Sequence, residues 1–192
     1  EFLAGTNNHK RGDVMVDDYT IRPVIFDPVV LEGGPGDSSV VVWDSPLSAR
    51  RAVYKLARYF RKEFRYDFVQ YGTDGREDDV RCKAFVWSHE MWSGKRDARD
   101  YAYGACCFRW REASLWSEWE NPPTWSVNGT WALQWAWLHP FFRRQGTLSR
   151  AWSGLVSQFG EFDIEGPYSS DMVAFMAKRA PWMKDRHPGV FE

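Results

Sequence analysis

The run Trp131-Ala-Leu-Gln-Trp-Ala-Trp-Leu-His-Pro-Phe-Phe-Arg143-Arg-Gln-Gly146-Thr-Leu-Ser-Arg150 decides how the rest of the chain is read. Its first part, Trp131 to Leu138, is apolar and aromatic in the way of a buried strand. His139-Pro140 ends it, and Leu148, Ala151, Trp152, Leu155, Val156 and Phe159 then recur at helical period until Gly160 stops them. A strand that turns directly into a helix presents unpaired backbone N–H groups at the helix N-terminus, where the macrodipole also favours negative charge. Gly146 removes the Cβ that would hold phosphate oxygens off the backbone, while Arg143 and Arg144 offer charge-assisted contacts. The turn therefore reads as a seat for a pyrophosphate. Its plain alternative is a strand-turn-helix with a surface arginine pair, and Arg-x-x-Gly alone does not choose between the two.

Downstream, Phe162 to Glu165 is a short strand, and beyond Gly166-Pro167 a last helix begins at Ser169 or Ser170, with Asp171 suited to its positive end. Upstream, a β-rich stretch from Tyr19 to Val30 runs into the turn cluster Gly33-Gly34-Pro35-Gly36, and Val40 to Trp43 follows as a short strand. A helix comes next, with Ser45 as its cap and Pro46 in its first turn. Ala49, Ala52, Val53, Leu56, Phe60 and Phe64 share one of its faces, and it ends near Arg65. Val80 to Trp87 and Tyr101 to Trp110 read as a hairpin. The irregular stretch Arg111 to Thr130 is long enough to be functional, as a substrate-side flap. Strand, helix, two strands, long loop, strand, helix, strand, helix is the order of a mixed α/β sheet covered by helices. We expect one domain over residues 19–192 behind a flexible leader at 1–18.

At 192 residues, 44% hydrophobic and 27% charged, the chain has the composition of a globular protein, and no apolar run approaches the ~18 residues of a membrane span. No secretory signal is visible at the start, so the Asn128-Gly129-Thr130 sequon carries little weight. Cys82, Cys106 and Cys107 read as reduced thiols in the cytoplasm. A net charge of -1 offers no broad field for nucleic acid or an anionic membrane. The basic stripe Arg51, Lys55, Arg58, Lys62 and Arg65 then reads as a solvated helix face before it reads as a nucleic-acid contact. His89-Glu90 lacks a second histidine, and no C-x-x-C spacing occurs, so no metal site is expected.

Leu138-His139-Pro140, Phe142, Arg143 and Gly146 together resemble the pyrophosphate motif of the GNAT superfamily of acyl-CoA N-acyltransferases. In that family a strand ends in a V-x-P-like tripeptide, an aromatic follows, and (Q/R)-x-x-G-x-(G/A) opens a helix. Phe175 to Arg179 sits where members commonly carry Leu-Tyr-x-Lys. The resemblance implies a mixed, mainly antiparallel central sheet flanked by helices, with acetyl-CoA as cosubstrate and its pantetheine arm between Trp131–Leu138 and Phe162–Glu165. It implies a cofactor site made of Trp137, Leu138, Arg143, Arg144, Gln145, Gly146, Thr147, Leu148, Ser149 and Ser170. It further implies N-acetyl transfer by direct attack of a primary amine, on a small molecule or a protein, accelerated by orientation and by backbone N–H groups on the carbonyl.

Departures from the family pattern bear on catalysis. Leu148 replaces the second small residue of the motif. Ala132 stands where many relatives place a carboxylate base, with Gln134 next on that face. Met176 replaces a frequent tyrosine acid, with Tyr168, Ser169 and Ser170 just upstream. Candidate proton-transfer groups are therefore Glu112, Glu118 and Glu120 in the long loop, His139 beside the motif, and Gln134 and Tyr168; each glutamate also reads as a solvated carboxylate. A CoA-binding or protein-interaction module without catalysis is the competing reading. Seven of the twelve tryptophans fall between Trp110 and Trp137. Trp131, Trp135 and Trp137 are expected on one strand face with Leu133, packed against Trp152 and Leu155. Trp116, Trp119 and Trp125 could equally pack or line an acceptor pocket.

Overall fold

The computed structural model describes residues 21–28, 30–74, 81–91, 99–112 and 129–191. Seven strands form one open, mostly antiparallel sheet: β1 (Val24–Ile25), β2 (Gly33–Gly34), β3 (Ser38–Val41), β4 (Cys82–Met91), β5 (Arg99–Arg111), β6 (Thr130–Leu138) and β7 (Asp163–Ile164). They lie in the order β2-β3-β4-β5-β6-β7, and β6 and β7 are parallel. β1 pairs with Tyr101 and Ala102 of β5, on the edge that β6 occupies from Gly104 onward. Among the described residues four α-helices complete the mixed α/β architecture: α1 (Leu47–Phe64), α2 (Thr147–Phe159), α3 (Ser170–Arg179) and α4 (Trp182–Arg186). None is long and apolar enough to cross a membrane.

The sheet separates two cores. On one side α1 lays Ala52, Val53, Leu56 and Phe60 on Val41, Val86, Cys107, Trp135 and Trp137. On the other side α2, α3 and α4 bury Trp152, Leu155, Met176 and Met183 with Phe85, Phe108, Leu133 and Phe162. Two indole N–H groups in this second core are satisfied by carbonyls at element ends: Trp152 donates to Arg179 O at 2.7 Å and Trp182 to Phe162 O at 2.8 Å. The turn between β2 and β3 is pressed onto α2. A Cβ on Gly36 would meet Ala151 at 2.8 Å, and one on Gly154 would meet Pro35 at 2.7 Å.

Two bulges shape the sheet. Opposite the step from Trp87 to Ser88 the partner jumps from Gly104 to Ala102, leaving Tyr103 extra on β5. Opposite the step from Cys107 to Phe108 it jumps from Trp135 to Leu133, leaving Gln134 extra on β6. A bulge puts residues on its two sides out of phase. This overturns the expected shared face: Trp131 and Leu133 face α2, but Trp135 and Trp137 face α1.

Other expectations are corrected more locally. Of Tyr19–Val30, the described part forms a strand only at Val24–Ile25, because Pro23 and Pro28 cannot donate to a ladder. Gly33-Gly34, expected in a turn, pairs with Ser38 and Ser39, and the turn itself runs through Pro35, Gly36 and Asp37. β3 stops at Val41 because Val42 N–H goes to Ser45 Oγ and the Trp43 ring leaves to lie under the Arg50 guanidinium at 4.3 Å. For the same reason Ser45 does not cap α1, whose N-cap position is Pro46. At its other end α1 stops at Arg65, in the left-handed region, as expected. The hairpin strands run further than expected, to Met91 and from Arg99 to Arg111. α2 runs to Phe159, before Gly160, and α3 begins at Ser170, both as expected, but α3 is not the last helix, since α4 follows it.

Candidate functional site

β6 and β7 stay together only briefly. Ala132 pairs with Asp163 and Leu133 with Ile164, and the last bond is Glu165 N–H to Leu133 O at 3.0 Å. Gly166-Pro167 then carries the chain away, at the level where Gln134 bulges from β6. Two strands that part leave a cleft, and here it is a groove of about 560 Å³ between the end of β6, the start of α2 and the exposed side of α3.

One end of the groove is built for an anion. Gly146, at φ 79°, is the N-cap of α2, and the first turn has neither a side-chain cap nor an acidic residue. The first helical bond is Arg150 N–H to Gly146 O, so the N–H groups of Thr147, Leu148 and Ser149 have no intrahelical acceptor. Arg144, Lys178 and Arg179 add positive charge around them. Arg144 pairs with Asp171 at 3.2 Å, and with both side chains exposed this contact is weak and exchangeable.

Of the cofactor residues expected from the sequence, Trp137, Leu138, Arg143, Arg144, Gly146, Thr147, Leu148 and Ser149 all line this groove. Gln145 does not; its side-chain amide donates to Phe141 O at 2.7 Å. Ser169 lines it in place of Ser170, while its Oγ also caps α3 by accepting from Met172 N–H at 3.2 Å. Arg143 is on the wall but is not free to hold phosphate. Its Nε donates to Leu138 O at 2.8 Å, and Nη1 and Nη2 bind Glu63 Oε1 and Oε2, each at 2.6 Å. Glu63 Oε2 also accepts from Trp137 Nε1 at 2.8 Å. Arg143 is thus a strut between α1 and the motif turn.

At its inner end the groove adjoins a small cavity of about 50 Å³, with which it shares Phe64, Ala136, Ser169 and Met172. Gln134, Glu165, Tyr66 and Tyr168 supply its polar groups. Gln134 is 5% exposed, and its Oε1 is buried with no hydrogen-bond partner. Tyr168 donates to Ile164 O at 2.6 Å; burial first, and then the carboxylates of Asp163 and Glu165, push its pKa above the usual phenol value and keep it protonated. Tyr66 is shifted the same way by burial and Glu165. Glu165 itself is held bidentately by Arg111 at 2.5 and 2.8 Å. The arrangement can orient a hydrogen-bond donor at Gln134 and supply neutral phenols.

The remaining candidates lie elsewhere. Glu112 follows the end of β5, paired with Arg81 at 2.5 Å, next to the end of β6 opposite to Leu138. Eight residue-to-residue steps along the strand separate those ends by ~26 Å, which removes Glu112 from the groove. His139 accepts from Phe141 N–H and lines a different, aromatic cavity on the α1 side. Burial, then the nearby Arg143, lower its pKa below the ordinary imidazole value. Met176 is buried in the second core. Glu118, Glu120, Trp116, Trp119 and Trp125 lie outside the described residues. Glu63, Tyr66 and Glu165 were not singled out from the sequence, and Lys178 was noted only within the Phe175–Arg179 match. Only Glu165 carried a usable signal, its position at the carboxyl end of a short strand, where open α/β sheets place ligands. No protein-family model matches this chain, and no match to it is found among curated proteins.

Proposed function

We propose that the chain is an acyl-CoA-dependent N-acyltransferase of the GNAT kind, moving an acetyl group from acetyl-CoA to a primary amine. The observation that carries this reading is the uncapped α2 N-terminus at one end of a groove whose other end is the parting of β6 and β7 at bulged Gln134. Free amides at Thr147 to Ser149, with Arg144 and Lys178, suit a pyrophosphate. The edge of β6 beyond the last β7 bond offers backbone groups to the amides of a pantetheine arm.

In the reaction the amine nitrogen forms a bond to the thioester carbon, the C–S bond breaks, and one proton leaves nitrogen while one is taken up by sulfur. Gln134 Oε1 accepts an N–H of the attacking amine and fixes its approach. Backbone N–H groups at the bulge polarise the carbonyl. The sulfur takes its proton from water, because the Tyr168 hydroxyl already donates to Ile164 O and its pKa is pushed up. Glu165 is already paired with Arg111, so the amine proton passes to water or is lost before binding.

The test is release of CoA thiol from acetyl-CoA by the full chain with a panel of primary amines, beside calorimetric titration of acetyl-CoA alone. Turnover supports transfer. A second reading, a CoA-binding module without transfer, is favoured by the burial of Met176 and the remoteness of Glu112; saturable binding with no turnover on any amine selects it. A folded chain that neither binds nor turns over acetyl-CoA sinks both.

A further inference from the structure

A second cavity, on the α1 side of the sheet, arises from the other bulge. β1 and β6 share one edge of β5 but do not meet: β1 reaches Ala102, β6 begins its pairing at Gly104, and bulged Tyr103 stands between them. Tyr103 O takes the N–H of His139 at 2.7 Å, where the chain turns away from β6. α1 closes the gap from above through Leu56 and Tyr59, and the Tyr59 hydroxyl binds Arg22 N and O at 3.0 and 3.1 Å. The half-open space is about 430 Å³, within the range small-molecule sites occupy. Bulges concentrate beside ligand sites because they re-aim side chains.

The chemistry of the walls defines the occupant. They are mostly rings: Tyr103 stacks on Phe142 at 4.5 Å, His89 lies 5.0 Å from Phe142, and Tyr59 lies 5.3 Å from Trp137. Phe141 is left 74% exposed at the rim, and the buried Nδ1 of His89 has no hydrogen-bond partner. Flat ring walls favour a flat ring system by offset stacking and edge contacts. Among the described lining residues there is no carboxylate to pair with a ligand ammonium. Arg22 is the one permanently charged residue among the described lining residues, and its guanidinium makes no hydrogen bond or ion pair with the described residues.

We propose that this gap is a binding site for a flat aromatic carboxylate, with its rings among Tyr103, Phe142 and Trp137 and its carboxylate on Arg22. The site is distinct from the groove. His139, Phe141 and Phe142 face this cavity, Arg143 and Arg144 face the groove, and only Trp137 contributes to both. The proposal does not depend on acyl-CoA binding.

The experiment titrates the full chain by calorimetry with 2-naphthoate, 2-naphthalenemethanol and 2-naphthylmethylammonium, with and without excess acetyl-CoA. The carboxylate should bind about tenfold more tightly than the alcohol and the ammonium least tightly, the order an unpaired guanidinium dictates. Arg22→Gln, at an exposed position, should bring the carboxylate down to the level of the alcohol and leave the alcohol unchanged. Phe142→Ala, checked for a native melting transition, should weaken both. The site is refuted if none of the three binds saturably, if the ammonium binds as well as the carboxylate, or if Arg22→Gln leaves naphthoate binding intact. Competition between acetyl-CoA and naphthoate would move the ligand to the groove and refute it equally.

Discussion

At Gly146 the backbone enters the left-handed region just before α2, and a Cβ there would come within 3.3 Å of Arg150 Nη1. Aspartate tolerates that conformation better than most residues, and its charge is favourable at a helix N-terminus, so Gly146→Asp should cost no more than ~1 kcal/mol of stability. The same charge beside the free amides should repel a pyrophosphate. We expect a melting temperature close to wild type and a loss of acetyl-CoA affinity of about tenfold or more by calorimetry. Gln134 gives the opposite signature. Removing an unsatisfied buried oxygen relieves a desolvation cost of about 1–3 kcal/mol, so Gln134→Met should melt at or above wild type. Its kcat/KM should nevertheless fall by about tenfold, a loss of ~1.4 kcal/mol of transition-state stabilisation. A variant that loses stability and activity together would make Gln134 a folding residue only. Gly146 could be singled out from its neighbours in sequence, but the fate of Arg143 could not. Its partner, Glu63, lies 80 residues away, and nothing local tells a guanidinium whether a carboxylate or a ligand will meet it.

Among the elements, α1 and the turn after β6 are joined by the Glu63–Arg143 pair, with Trp137 Nε1 and Leu138 O completing it. The pair is half-buried, at 9% and 27% side-chain exposure, so breaking it strands a charge without the full penalty of the deep interior. Glu63→Gln and Arg143→Met should each cost about 2 kcal/mol in urea unfolding. The double variant should cost less than their sum. If the strut positions the anion seat, Glu63→Gln should raise KM for acetyl-CoA while kcat changes little, and Glu63→Asp should recover part of that loss. Element type and order were legible because α1 and α2 carry long helical periods and β6 is an unbroken apolar and aromatic run. The facing of Trp135 and Trp137 was not, because one bulged residue inverts the phase and no hydrophobic period marks it. β1, β2 and β7, at two residues each, are too short to show any period.

For the whole molecule, a ligand seated between β6, α2 and α3 touches three elements that come together only in the native state. At one hundred times Kd it stabilises by ~2.7 kcal/mol, which for a domain of this size corresponds to a rise of roughly 5–10 °C in Tm. Scanning calorimetry with acetyl-CoA checks this, and an unchanged Tm at saturating ligand contradicts it. The architecture as a class, a mixed sheet with helices on both faces, was readable from the order of elements. The groove was expected only through the family resemblance, and the α1-side cavity not at all, since it depends on where β1 and β6 leave a shared edge of β5.

The outermost strands of the sheet, β2 and β7, have two residues each, whereas β4 and β5 within it have ten and thirteen. Short margins of this kind limit the ladder a second copy could extend on β2 and β7 themselves. The weak point is then the β2–β3 hairpin, anchored where Gly36 meets Ala151 and Pro35 meets Gly154. Peeling it away would bare the long β4 with its Phe85-Val86-Trp87 run, and aggregation under mild heating should start there, before either core has melted.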